Sequence, residues 1–244
     1  MGVKKNNNNK NRNMSMKKII LFAALVLGAF VINAQNLEPE LNTLNEKLAT
    51  YDYTVQNGTV VMQKVVEVSG MSASQLYSAA KNFVISTYNS PNHVIQNDDA
   101  VNGHLIVKGL FETTTCDCGD IVFWGSAMEY TPNHILKFDV KDEKIRITVI
   151  TSTIKQKSGG NSYVPLQYID YSVSQLYPIS RNVDVYSTNH AMNFYPKEGS
   201  KKQYQGFLHE GYVLYRVLQK MEYLLMSAQS ACLNTQEIES ENDW

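Results

Sequence analysis

The sequence predicts an α+β fold, in which an antiparallel sheet of about five to six strands carries two helices on one face. Three observations lead to this fold class: a capped amphipathic helix after one β-branched strand, a series of strand-like runs joined by short turns, and a long apolar stripe of helical period near the C terminus. Because an antiparallel sheet must cover one of its faces, the order strand, helix, strands, long helix places both helices together.

The first strand is predicted over residues 60–68, where β-branched residues dominate. A helix start follows, with Ser72 as the N-cap and Gln75 three residues later, as in a capping box. Apolar residues then recur at the helical period, which predicts one buried helix face: Leu76, Ala79, Ala80, Phe83 and Val84. Pro91 ends this helix, because the residue before a proline is disfavoured in the helical region.

Five strand-like runs follow the helix and predict an antiparallel meander: residues 93–99, 104–112, 120–130, 134–140 and 144–154. Asn102-Gly103 is a strong hairpin turn signal between the first two runs. A short polar turn around Asp142 joins the last two. Most of the sheet is therefore built from neighbouring strands.

The domain is predicted as a single unit over residues 59–233, after a lead-in at 35–58 that holds a short amphipathic piece around Leu41, Leu44 and Leu48. A Tyr-rich insertion broken by prolines is expected at 156–205. The final helix is predicted over 206–233, and residues 234–244 form an acidic tail.

Residues 1–34 have the pattern of a secretory signal peptide behind an Asn-rich leader. Lys17 and Lys18 precede an apolar run of residues 19–32, and the small residue Ala34 marks the expected cleavage site. The run is shorter than a spanning helix and no similar run follows, so no integral membrane segment is expected after cleavage. We therefore expect export through the Sec pathway to the periplasm or the extracellular space.

Export also changes the charge. Six of the 22 Lys and Arg lie in residues 1–34, which contain no acid, so the remainder has 16 basic against 23 acidic residues, a net charge of −7. A chain this acidic is repelled by phosphate backbones. Nucleic acid is therefore not an expected partner.

The run from Val66 and Val68 through Gly70, Ser72 and Leu76-Tyr77 resembles an uncharacterised family of exported bacterial proteins with a TATA-box-binding-protein-like (TBP-like) fold. The similarity continues at further positions: Gly103, Lys108-Gly109, Lys141-Asp142 and Arg146. It covers residues 60–155 and implies the same helix-then-sheet order. The family has no established activity, so no functional residue can be transferred from it, and its fold name does not imply DNA binding.

Motifs of known enzymes are incomplete in this sequence. Two S-x-x-K spacings, Ser78 to Lys81 and Ser152 to Lys155, lack the S-D-N and K-T-G that accompany them in penicillin-binding enzymes. His209-Glu210 begins like a zinc-protease helix, but Val213 stands where the second histidine belongs. The five histidines show no ligand spacing and are interpreted as partly exposed polar residues: His93, His104, His134, His190 and His209. We predict no enzyme, no cofactor and no catalytic or metal-binding residue.

Three cysteines are the candidates for disulfide or redox chemistry. Cys116 and Cys118 stand one residue apart, and in a strand their Cα atoms would lie at or beyond the limit for an unstrained bridge, so a disulfide between them needs a turn. Either could instead bridge to Cys232, and an odd number leaves one thiol unpaired within the chain. Idle thiols, a disulfide or a metal site all remain open.

Three functions are compatible with the sequence. The first is an exported, non-enzymatic binding module of the cell envelope whose partner is a small molecule, a glycan or an envelope protein, because a long helix over a sheet can leave a cavity. The second is an envelope redox or metal-handling protein that uses Cys116 and Cys118. The third is a hydrolase, which would need Ser, His and Asp brought together from distant positions.

Overall fold

A computed structural model describes residues 37–116, 128–158, 166–180 and 201–241. The helices, in chain order, are α1 Leu37–Leu48, α2 Ala73–Thr87, α3 Pro91–Val94 and α4 Lys201–Glu241. The strands are β1 Thr54–Gln56, β2 Thr59–Glu67, β3 Ile95–Asp99, β4 His104–Leu110, β5 Thr114–Cys116, β6 Met128–Lys141, β7 Lys144–Thr151, β8 Thr153–Ser158 and β9 Gln167–Ser172. A short 3₁₀ helix, Val173–Gln175, follows β9.

The predicted α+β class is confirmed, with more strands than the five to six expected. Within the described residues the sheet has nine strands, and its main path runs β1-β2-β7-β6-β4-β3. Every pairing is antiparallel. β5 and β8 pair with the first part of β6, and β9 pairs with β8. The extra strands come from β1, β5 and β9 and from a break that divides the last predicted run into β7 and β8.

β6 is one strand where two were predicted, because it continues through Pro132. Beyond Pro132 the strand changes partners, from β5 and β8 to β4 and β7. The side chain of Asn133 holds the break between β7 and β8: its Oδ1 accepts from the backbone N–H of Ser152 at 3.1 Å and of Thr153 at 3.0 Å. Both parts of the sheet are thereby joined by the continuous strand β6, and Asn133 stabilises the junction.

The predicted capping box and hairpin are both confirmed. Ser72 caps α2 and bonds reciprocally with Gln75. Gly103 has a φ of +70°, and a Cβ there would lie 2.5 Å from the carbonyl oxygen of Val140. Only glycine fits that turn, because both the conformation and the space exclude a side chain.

Helices α1, α2 and α4 contribute the apolar face that covers the sheet. Buried leucines of α1, Leu41, Leu44 and Leu48, belong to the same core as α4. The segment predicted as a lead-in therefore supplies a helix to the domain. Helix α4 spans Lys201–Glu241, longer at both ends than the predicted 206–233, and packs residues such as Leu214, Leu218 and Met221 into the core. No helix within the described ranges is long and apolar enough to cross a membrane.

Some predictions fall on residues outside the described ranges. These are the leader and signal peptide, Cys118, most of the run 120–130, parts of the Tyr-rich insertion and His190. The prediction of the acidic tail falls partly outside as well, although the helical backbone of α4 reaches Glu241.

Candidate functional site

Two buried tyrosine–histidine pairs lie on the helix-covered face of β6. Tyr130, Pro132 and His134 occupy alternate positions of the strand, so their side chains share this face. His134 meets Tyr88 from the end of α2, whereas Tyr130 meets His209 from α4. We name these the His134 pair and the His209 pair. The prediction that both histidines are partly exposed is wrong, because strand register and helix packing bury them.

The His134 pair is enclosed by aromatic and glycine neighbours. Tyr88 Oη and His134 Nε2 lie 2.7 Å apart, and the ring of Phe111 lies 4.3 Å from the imidazole, centroid to centroid. Burial lowers the pKa of His134 to about 4, so the ring is neutral at pH 7. Its Nδ1 is buried without a hydrogen-bond partner among the described residues. Gly109 leaves the space for the ring, since a Cβ there would lie 2.8 Å from it.

The His209 pair has polar neighbours. The Tyr130 hydroxyl is hydrogen-bonded to His209 Nε2, and the Tyr171 ring of β9 stands perpendicular to the Tyr130 ring at 6.4 Å. The next residue of α4, Glu210, is also buried. Desolvation raises the pKa of Glu210 to about 8, although a hydrogen bond from the backbone of Tyr177 lowers it in part. Glu210 is therefore largely protonated at pH 7.

A small pocket lies beside the His209 pair, between the sheet and α4. It is lined by Thr114, Tyr130, Pro132, Val213, Arg216, Val217 and Lys220. Its volume is about 10 Å³, which suits about one water molecule. Sites for drug-sized ligands are roughly 300 to 1,000 Å³. The pocket formed by these residues is therefore too small for such a ligand.

The opposite face of the sheet is turned away from the helices, and we call it the open face. On the four central strands it consists of alternate residues: Val61, Gln63, Val65 and Glu67 of β2; His104, Ile106, Lys108 and Leu110 of β4; Asn133, Ile135, Lys137, Asp139 and Lys141 of β6; and Lys144, Arg146, Thr148 and Ile150 of β7. Val65 is 54% and Leu110 68% exposed, while the three isoleucines are half-buried. The open face is therefore aliphatic as well as polar.

Charge on the open face differs in sign from that of the whole chain. These positions carry five Lys or Arg against two acids, whereas the chain has a net charge of −1. Asp139 is already bonded, by Arg146 Nη2 at 2.8 Å and by His104 Nδ1 at 2.8 Å. Although burial alone raises the pKa of Asp139, these bonds lower it below its ordinary value of 3.8. The face thus presents excess cations among aliphatic side chains.

Of the three cysteine candidates, only the side chain of Cys232 is among the described residues. Cys232 is a free thiol with no exposed surface, and burial raises its pKa to about 12. Cys116 ends β5, and the neighbouring Thr114 lines the pocket with the segment of α4 that ends at Lys220. The Cys116–Cys118 alternative stays a prediction.

The S-x-x-K spacings do not form a nucleophile and base. Ser78 donates to the carbonyl of Ser74, and Lys81 forms an ion pair with Asp98 at 2.7 Å. In the second motif, Ser152 Oγ accepts from the side chain of Asn133. Among the described residues no group of three or more His, Cys, Asp or Glu is arranged to hold a metal ion.

Several residues of these sites carry no local sequence signal. The burial of His134, His209 and Glu210 follows from strand and helix contacts. The cations of the open face could be found only by placing predicted strands side by side in the correct register. The alternation of Ile135, Lys137 and Asp139 was the one available hint.

Residues 62–154 match a family described as a domain of unknown function (DUF4468) with a TBP-like fold. No curated protein is similar to the chain. A crystal structure of a DUF4468 family protein from Bacteroides ovatus is similar at 14% identity and a TM-score of 0.46, over 74% of this chain and 90% of that one. A TBP-like protein from Parabacteroides distasonis is similar at 13% identity and a TM-score of 0.38, over 72% of this chain and 96% of that one. The resemblance that the sequence suggested is confirmed by the family match over residues 62–154: this part of the chain is similar to the DUF4468 family with a TBP-like fold.

Proposed function

We propose that the protein is an exported, non-enzymatic binding module of the cell envelope and that it binds its partner on the open face. The observation that carries this proposal is the asymmetry of the sheet. Helices α1, α2 and α4 pack on one face, while the other presents Val65, Ile135 and Lys137 to the surroundings. An aliphatic and charged surface of this kind is a feature of interaction sites.

The helix-covered face supports the same proposal, because the pocket described on it is small. Tyr130 and His209 are hydrogen-bonded to each other there, and the adjacent pocket is about 10 Å³. A small apolar molecule would need a larger cavity than this pocket. We therefore favour a macromolecular partner over a small ligand.

Site-specific photo-crosslinking in the producing cell tests the binding face. Val65 and Lys64 are neighbours on β2 with exposed side chains on opposite faces of the sheet. A photoreactive residue at position 65 should give a discrete adduct, and the same residue at position 64 should not. Equal labelling at both positions, or none at position 65, contradicts binding at the open face.

Cell fractionation with mass measurement tests export. The signal pattern of residues 1–34 predicts a mature chain that begins at Gln35 in the envelope or the medium. Full-length protein confined to the cytosol contradicts an envelope role. This experiment is independent of the crosslinking.

A further inference from the structure

We infer that the partner of the open face is a polypeptide segment in which acidic and aliphatic side chains are interspersed. The inference rests on the proposed function, since it names the partner class of the same face. It is carried by the composition of the face, by the arrangement of its charges and by its size.

The first step concerns charge. Lys108, Lys137, Lys141, Lys144 and Arg146 belong to adjacent strands. The acids of the same face are Glu67, directly opposite Lys144, then Asp139, and Asp99 of the edge strand β3, opposite His104. Asp139 is already occupied by Arg146 and His104. Lys108, Lys137 and Lys141 have no acid directly opposite them in the strand register, so the face is complementary to an acidic partner.

The second step concerns what lies between the lysines. In one row across the strands, Lys108 is followed by Ile135, Ile150 and Val61. In the next row Ile106 stands beside Lys137. These aliphatic side chains are half-buried between longer neighbours. A partner that presents only negative charge would leave them in water, whereas leucine or valine side chains would cover them.

The third step separates polypeptides from nucleic acids. Proteins that bind single strands stack the bases on aromatic side chains, each stack contributing about 1 to 3 kcal/mol. None of the open-face positions on β2, β4, β6 and β7 is Phe, Tyr or Trp, and the imidazole of His104 is bonded to Asp139. Arg146, the residue type best suited to phosphate, is held by Asp139 through two nitrogens at 3.0 and 2.8 Å. The face therefore lacks the large stacking rings and the free guanidinium group that favour a single-stranded nucleic acid.

The fourth step concerns strength. Four strands spaced about 4.8 Å apart, each about 25 Å long, give a surface of roughly 500 Å². A standard interface buries about 800 Å² on each partner. The interaction should accordingly be reversible, with a Kd on the order of 10 μM.

Binding of defined probes to the mature chain tests the inference. The probes are a short peptide that alternates glutamate with leucine, a peptide of equal charge that alternates glutamate with serine, a single-stranded oligodeoxynucleotide, and phosphatidylglycerol vesicles. We expect the glutamate–leucine peptide to bind most tightly and to weaken with added salt.

Charge reversal gives the matched control. Lys137→Glu changes the open face, and Lys64→Glu makes the same change on the opposite face of the sheet. We expect Lys137→Glu to weaken peptide binding about tenfold and Lys64→Glu to change it less than twofold. Ile135→Ser should weaken the glutamate–leucine peptide more than the glutamate–serine peptide. Circular dichroism checks that the three variants fold.

Several results would overturn the inference. They are equal binding of the two peptides, tighter binding of the oligonucleotide or the vesicles, equal effects of the two lysine reversals, or no peptide binding at about 1 mM. The crosslinking at Val65 separates this failure from failure of the proposed function. If position 65 gives a specific adduct but the two peptides bind equally, the protein is still a binding module of the open face, and only the proposed class of partner is wrong.

Discussion

The His134 pair and the His209 pair join the same two chemical groups but differ in their neighbours. His134 is packed against Phe111, and its Nδ1 is left without a partner among the described residues. His209 is followed by Glu210, which is buried near Tyr171. Burial keeps the imidazole of His134 from carrying a positive charge, and burial keeps the carboxyl of Glu210 from carrying a negative one.

This difference shows that the two halves of the covered face respond oppositely to pH. Acid should destabilise the sheet around His134, and alkali should destabilise the packing of α4 around Glu210. Both groups are neutral in the folded chain near pH 7, but the contribution of His134 to stability is complete above about pH 6.5, whereas that of Glu210 is complete below pH 4.5. Their chemistry is enclosed, which favours a structural role for both pairs.

Replacement of Glu210 should give the largest effect. The pKa of this carboxyl is about 8 in the folded chain against an ordinary 4.5, so its contribution is present below pH 4.5 and is lost as the pH rises through 8. Glu210→Gln should therefore stabilise the protein by about 4 kcal/mol at pH 9 and by little at pH 4.5. Urea unfolding at both pH values measures this, with Glu222→Gln on the exposed side of α4 as the control. An equal effect at both pH values would show that the carboxyl of Glu210 does not cause this pH dependence of stability.

Replacement of His134 should reverse the direction of the pH effect. The folded chain protonates this ring near pH 4 and the unfolded chain near pH 6.5, so stability is lost as the pH falls between those values. The loss amounts to about 3 kcal/mol and should disappear in His134→Gln. Unfolding curves from pH 4 to 7 test it, with the exposed His93→Gln as the control. If His134→Gln still loses stability as the pH falls from 6.5 to 4, other groups are responsible for the loss.

Gly109→Ala should destabilise the His134 pair without changing a charge. The new Cβ would lie 2.8 Å from the imidazole and 3.1 Å from the Tyr88 ring, and neither ring can yield easily. We expect a loss of about 2 kcal/mol. Thermal or urea unfolding measures it, and a loss below about 0.5 kcal/mol would show that the rings can shift.

Gly211→Ala makes the same change as Gly109→Ala but beside the His209 pair, because Gly211 follows Glu210 in α4. Its Cβ would lie 2.7 Å from Leu44 Cδ2, the flexible end of a side chain. Alanine also favours the helix by about 1 kcal/mol over glycine. The two effects offset each other, so we expect a change within about 1 kcal/mol by the same unfolding measurement. A loss as large as that of Gly109→Ala would show that α1 packs on α4 as rigidly as the rings pack on β4.

Local signals explain how much of this fold could be predicted. The capping box of Ser72 and the turn at Gly103 depend on neighbouring residues, and both were predicted correctly. β6 was divided into two strands because a proline argues against a strand interior. Pro132 is tolerated there because the strand changes partners beyond it. The buried pairs could not be predicted, since Tyr130 and His209 are separated by 79 positions and meet only through tertiary packing.

The position of α4 after all the described strands has a consequence for the timing of folding. Its buried residues, from Leu208 to Cys232, are synthesised after all nine described strands, and translation of the 41-residue helix takes seconds at about 5 to 20 residues per second. Until that helix emerges, the sheet has no cover over Tyr130. The domain can therefore complete its core only after α4 has been made, so the strands wait for several seconds with part of their apolar face uncovered.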